Sequence, residues 1–233
     1  MNEKLTELVF ILDRSGSMAG LESDTIGGFN SLIDRQRKEE GEALISAVLF
    51  DDKAEVLYDR IPVNRIEPMN DSQYYVRGCT ALLDALGGAI HHIGNVHKYA
   101  REEDRPVKTI FIITTDGLEN ASRIYSYDKV KAMVERQRER YGWEFLFLGA
   151  NMDAIAAAGR FGIQADRAVN YECDGAGTQL NYDVLSETIT QVRGCGAMPA
   201  SAAFAVCEEA NGSWNAKIKD DYEKRHKTSG RQK

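Results

Sequence analysis

Several things are missing from this chain of 233 residues, and each absence narrows what it does. No stretch approaches the roughly 18 uninterrupted apolar residues of a membrane-spanning helix. The best run, Thr109 to Thr115, is the size of a strand. The opening Met1-Asn2-Glu3-Lys4 meets a short apolar run that ends in Asp13 and Arg14, which is not the pattern of a secretory signal. The four cysteines, at 79, 173, 195 and 207, lack CxxC spacing, so reduced thiols in a cytoplasmic protein are expected. No GxxxxGK[ST] phosphate loop occurs, and Asp174-Gly175-Ala176-Gly177 is too short for a dinucleotide fingerprint. His91, His92 and His97 fall on one expected helix, but no pair has the i, i+4 spacing of a helical zinc site. Excess positive charge is absent too: the formal net charge is -7, which disfavours a general nucleic-acid binder. What is present, 43% hydrophobic and 28% charged residues, is ordinary soluble globular composition.

Along the chain, strand-like runs alternate with stretches of helical period. Leu8 to Leu12 is continuously apolar, as in a strand covered on both faces. A polar, glycine-bearing loop follows, then a helix over 24–40 with Ile26, Phe29 and Ile33 at helical spacing. Ala43 to Phe50 reads as a second strand, with Glu55 to Tyr58 as its hairpin partner at a sheet edge. The segment 61–75, with Pro62 and Pro68, reads as irregular. Helices are expected over 81–100, 127–141, 154–160 and 177–193, and strands over 107–115, 143–148 and 168–171. Such alternation predicts an α/β fold: a doubly wound, mostly parallel sheet with one antiparallel edge strand and helices on both faces. Residues 1–193 read as one domain. Residues 194–233 form a tail, rich in Gly, Ala and Ser and then basic, for which a loosely packed or partly disordered terminus is expected.

Ligands of open α/β sheets bind beyond the carboxyl ends of the strands, so the residues just after each strand carry most information. Asp13-Arg14-Ser15-Gly16-Ser17 follows the first strand and Thr114-Thr115-Asp116-Gly117 follows the strongest one. Gly78-Cys79-Thr80 stands directly before the helix at 81. Asp13, Ser15, Ser17, Thr80 and Asp116 therefore converge on one rim, offering two carboxylates and three hydroxyls. Such oxygen donors suit a hard divalent cation, Mg²⁺ or Mn²⁺, over zinc. Gly16 and Gly117 allow the backbone to crowd close to the ion.

In these segments the sequence resembles the von Willebrand factor type A (vWA) domains. The DxSxS trio at 13–17, Thr80 in GCTALLDAL and Asp116 in TTDGLEN look like the family's metal-ion-dependent adhesion site. The resemblance covers roughly residues 5–193 and implies a Rossmann-like sheet. It also implies direct coordination by Ser15, Ser17 and Thr80, and mostly water-mediated coordination by Asp13 and Asp116. An Asp or Glu from a partner protein would complete the metal shell. DRSGSM and DGLEN resemble the intracellular bacterial branch, whose members are often linked with AAA+ ATPases or stress-resistance systems. A non-enzymatic, metal-dependent interaction module is therefore expected, with no nucleic acid and no membrane as partner.

Plainer readings compete with this one. Asp13, Ser15 and Ser17 could cap the next helix, Thr80 could cap the helix at 81, and Asp116-Gly117 could be an ordinary turn. Arg14 and Arg77 flank the rim and would either clamp an acidic partner or simply be solvated. Asn151 and Asp153 follow a later strand on the same rim. Two functional alternatives stay open: a phosphatase-like metal hydrolase on the same sheet, and a scaffold whose metal site is vestigial.

Overall fold

The computed structural model describes residues 1–229; the end of the basic stretch, 230–233, lies outside the described residues. Six strands form one sheet: β1 (Asn2–Asp13), β2 (Glu42–Phe50), β3 (Ala54–Pro62), β4 (Pro106–Thr115), β5 (Glu144–Gly149) and β6 (Ala168–Asn170). Their order is β3-β2-β1-β4-β5-β6. All neighbours run parallel except β3, which pairs antiparallel with β2 at the edge. The doubly wound, mostly parallel α/β sheet expected from the alternation is the observed one.

Alternate side chains of the central strands enter two separate cores. Leu8, Phe10 and Leu12 of β1 meet Phe29 and Leu32 of α1 (Glu22–Gln36) and Leu185 and Ile189 of α5 (Gly175–Gly194). Val9 and Ile11 meet the opposite layer: α2 (Leu82–Tyr99), α3 (Tyr127–Tyr141) and α4 (Ala154–Arg160), through residues such as Leu86, Val130 and Ala158. Both faces of β1 are thus apolar because both are covered. Helices α1 and α5 approach closely at Gly28, where a Cβ would stand 2.1 Å from the Tyr182 ring. Among the described residues no helix is long and apolar enough to cross a membrane.

Two details differ from the sequence expectation. Helix α1 ends at Gln36 rather than 40, and the charged residues beyond it turn toward Gly41, whose φ of 83° is left-handed. Among the described residues, the segment after Gly194 is not loose. It forms α6 (Ala200–Asn211) and α7 (Ala216–Ser229). Phe204, Trp214 and Ile218 are buried in the α1/α5 core, and the Trp214 indole Nε1 donates to the Asp166 carbonyl at 2.9 Å. A few large apolar residues anchor a segment whose small-residue composition hides them.

Candidate metal centre

Asp13 is the last residue of β1 and is almost fully buried. Its Oδ1 accepts the Ser15 amide at 2.7 Å, and its Oδ2 accepts the Thr115 hydroxyl at 2.5 Å. The chain then makes a short 3-10 turn, Gly16–Met18, that swings Ser17 back toward β4. Ser15 Oγ lies 3.1 Å from Ser17 Oγ and accepts from Thr80 Oγ1 at 3.2 Å. Ser17 Oγ donates to Asp116 Oδ1 at 2.5 Å. All five expected residues therefore meet in one hydrogen-bonded group at the carboxyl ends of β1 and β4.

The three loops are tied to one another by backbone. The Gly16 amide donates to the Gly78 carbonyl at 3.1 Å. The Thr80 amide donates to Asn120 Oδ1 at 2.9 Å, and the Asn120 amide returns to the Thr80 carbonyl at 3.0 Å. The loop after Asp116 is pinned to α2 by two carboxylates. Glu119 accepts from the Leu83, Ala121 and Ser122 amides, and Asp84 from those of Arg123, Ile124 and Tyr125.

These bonds dispose of the capping readings. Helix α1 starts at Glu22 behind Leu21 and has no side-chain cap, so Asp13, Ser15 and Ser17 do not serve it. The residue ahead of α2 is Ala81; the first-turn amide of Leu83 is taken by Glu119 rather than by Thr80. The hydroxyls face each other instead.

Both carboxylates are buried, and the hydrogen bonds they accept come from hydroxyls, an amide and a thiol, with no Lys or Arg among the donors. Burial, reinforced by the charge of Asp116, pushes the Asp13 carboxyl up to about 6 despite the Thr115 and Ser15 hydrogen bonds. Burial likewise raises Asp116. Two buried acids with no cationic donor are a charge arrangement that a divalent ion would balance. Space fits as well: a Cβ placed on Gly117 would stand 2.9 Å from Thr80 Oγ1, 3.3 Å from Ser17 Oγ and 3.9 Å from Ser15 Oγ. Gly117 leaves that opening between the hydroxyls free. Among the described residues no group of three or more His, Cys, Asp and Glu could hold a metal, so this mixed hydroxyl and carboxylate set differs in kind from such clusters.

One flanking residue differs from expectation. Arg14 does not face a partner: it is fully buried, with Nε 2.8 Å from Asp51 Oδ2 and Nη2 2.6 Å from Glu55 Oε2. Arg77 is half-exposed and shares Asp51 at 2.7 Å, with the Tyr75 ring 5.0 Å from its guanidinium carbon. Asp153 caps α4 through the Ala156 amide. His92 pairs with Asp59 at 2.8 Å and His97 with buried Glu7 at 2.6 Å, both apart from the rim set.

Sequence reasoning missed Thr115 and Cys173. Thr115 bonds Asp13 and both the amide and the carbonyl of Gly117, so it holds the two carboxylate loops together. The Cys173 thiol reaches Asp116 Oδ2 at 3.7 Å; burial, then Asp116, pushes it up to about 11. A second hydroxyl beside Asp116 in TTDG was the available signal for Thr115. Cys173 had none.

The comparison with solved structures is decided by this architecture. Proximal thread matrix protein 1 from the mussel byssus, solved with a zinc-occupied MIDAS motif, aligns at TM-score 0.57 and 16% identity, over 81% of this chain and 46% of that one. The fold is that of a vWA domain. A von Willebrand factor type A protein from Catenulispora acidiphila aligns at TM-score 0.53 and 14% identity, over 81% of this chain and 43% of that one. The manganese-loaded TRAP protein of Plasmodium vivax aligns at 0.52 and 16%, over 77% and 73%. The chain spans less than half the length of the first two proteins. No protein-family model matches the sequence, and no curated protein does. At these identities the likeness concerns the vWA fold, and the chemistry of the rim rests on the geometry above.

Proposed function

We propose that this chain is a metal-dependent protein-interaction module. Asp13, Ser15, Ser17, Thr80 and Asp116 hold one divalent cation, Mg²⁺ or Mn²⁺, and a partner protein supplies an Asp or Glu side chain to it. The observation that carries the reading is Ser17 Oγ, which links the two carboxylate-bearing loops through Asp116 Oδ1 and Ser15 Oγ. Hard oxygen donors of this kind favour Mg²⁺ or Mn²⁺ over thiophilic ions. The bound ion supplies Lewis acidity toward an incoming carboxylate. Leu118 and Tyr75, 61% and 41% exposed, lie in the loops that carry Asp116 and lead to Thr80 and offer apolar surface to a partner.

Catalysis is not part of the proposal. A hydrolase would need an activated nucleophile or a general base at the ion. The groups bonded to the carboxylates are Ser and Thr hydroxyls, an amide and the Cys173 thiol, with no His or Lys among them.

Manganese titration of the chelator-treated chain, followed by electron paramagnetic resonance, tests the metal half. One site is expected in wild type and none in Asp116→Ala; equal binding by both would end the proposal. Partner capture from the native cell tests the other half. Capture should vanish with EDTA and with Asp116→Ala, and capture unchanged by either would remove the interaction role.

A further inference from the structure

At the end of the sheet opposite the metal rim, near the amino ends of β1, β2 and β4, lies a cavity of about 570 Å³. Its walls include Lys4, Glu39, Lys108, Arg193 and Cys195. Cys195 directly follows α5, and its Sγ stands 3.2 Å from Sγ of Cys207 on α6. Both thiols are free. We propose that Cys195 and Cys207 are a reversible oxidation site whose disulfide staples α6 to the end of α5, with a small peroxide as the oxidant.

Three observations support this chemistry. The sulfurs are close enough that bond formation needs a contraction of only about 1 Å to the usual 2.05 Å. The segment that must move is Gly194-Cys195-Gly196, and a Cβ at either glycine would meet nothing within 4 Å. Cys195 is half-buried and opens onto the cavity, whereas Cys207 is buried. The oxidant therefore reaches Cys195 first, and Cys207 resolves the product. Burial, with Cys195 beside it, pushes the Cys207 thiol up, so Cys207 is protonated while Cys195 meets the oxidant. The buried Lys108 Nζ donates to the Cys195 and Gly196 carbonyls, each at 2.9 Å, so the contraction must be small enough to keep those bonds.

The steps balance. The Cys195 thiol gives up its proton, the thiolate sulfur attacks one oxygen of hydrogen peroxide, the O–O bond breaks, and the leaving hydroxide takes up that proton, so a sulfenic acid and one water result. The Cys207 sulfur then attacks the sulfenic sulfur, the S–O bond breaks, and the hydroxide leaves as a second water with the Cys207 proton. Two thiols are oxidised by two electrons and one peroxide is reduced to two waters.

Treating the full chain with one equivalent of hydrogen peroxide tests the site by mass spectrometry. A loss of about 2 Da, reversed by dithiothreitol, is expected, with Cys195 and Cys207 in one linked peptide pair. Melting temperature should rise by roughly 5–10 °C on oxidation, since the bond constrains the unfolded chain between residues 12 apart. Cys195→Ser and Cys207→Ser should each abolish the mass loss while binding manganese as wild type does. The inference is overturned if peroxide leaves both thiols alkylatable, links Cys79 or Cys173 instead, or lowers the melting temperature.

Discussion

Thr115 Oγ1 donates to Asp13 Oδ2 at 2.5 Å while bonding the amide and carbonyl of Gly117 two residues on. One hydroxyl on β4 therefore sets the orientation of a carboxylate on β1 and the start of the loop that carries Asp116. In the proposed module it touches no cation and acts through its neighbours. Thr115→Val keeps the shape and removes the hydroxyl. Outer partners of metal ligands are typically worth about 10–100-fold in affinity. Manganese binding should weaken by that factor in Thr115→Val, measured by calorimetry, with the far-UV spectrum unchanged. Affinity equal to wild type would show that Asp13 needs no such support.

Gly117 provides a sharper test of where the ion goes. Its φ is not left-handed, so alanine costs the backbone little there, yet the added methyl would press to 2.9 Å from Thr80 Oγ1 and 3.3 Å from Ser17 Oγ. The methyl would occupy the space between the hydroxyls without deleting any donor. Gly117→Ala should fold and lose at least about 10-fold in manganese affinity, a conversion of roughly 1.4 kcal/mol. Unchanged affinity would place the ion elsewhere.

The raised Asp13 carboxyl fixes the sign of a pH effect. A carboxyl at about 6 in the folded chain, against 3.8 unfolded, binds its proton more tightly when folded. Its contribution to stability is full below about pH 4 and is lost as pH rises through 6, by roughly 3 kcal/mol in the metal-free protein. Asp116, raised by burial, acts in the same direction. Urea unfolding of wild type minus Asp13→Asn in EDTA should show this decline between pH 4 and 7. Saturating Mg²⁺ should cancel it, because the ion stabilises the charged carboxylate. A difference curve identical with and without Mg²⁺ would contradict the assignment.

The strands and the five rim residues were legible because their signals are local. Leu8 to Leu12 and Ile110 to Ile113 are continuous apolar runs, and a strand covered on both faces needs them. Asp13, Ser15 and Ser17 fall within five residues, and the carboxyl-end rule put them beside Asp116. What could not be read depends on contacts far apart in sequence. Arg14 looked like a surface charge until Asp51, 37 residues away, buried it. Cys173 meets Asp116 across 57 residues with no pattern around it. Thr115 was hidden for another reason: a threonine ending a β-strand is what strand preference alone supplies. The helices after Gly194 were obscured by composition, since Ala and Ser dominate around the few residues that anchor them.

Those anchors make the tail a measurable part of the fold. Phe204 of α6 is almost fully buried, and the Arg167 guanidinium carbon lies 5.2 Å from its ring centroid. Arg167 also joins α6 to β5 through Glu208 at 2.9 Å and buried Glu144 at 3.2 Å. Removing the ring leaves a cavity in the α1/α5 core and strips one wall from a buried guanidinium. Phe204→Ala should destabilise the chain by about 3–5 kcal/mol in urea unfolding, as large buried aromatics do when truncated. A chain ending at residue 193 should lose at least as much, because it also uncovers the β6 end where Trp214 and Asn215 bond the Asp166 and Ala168 carbonyls. If truncation at 193 left the unfolding midpoint where it was, α6 and α7 would be an appendage on a vWA fold that is stable without them.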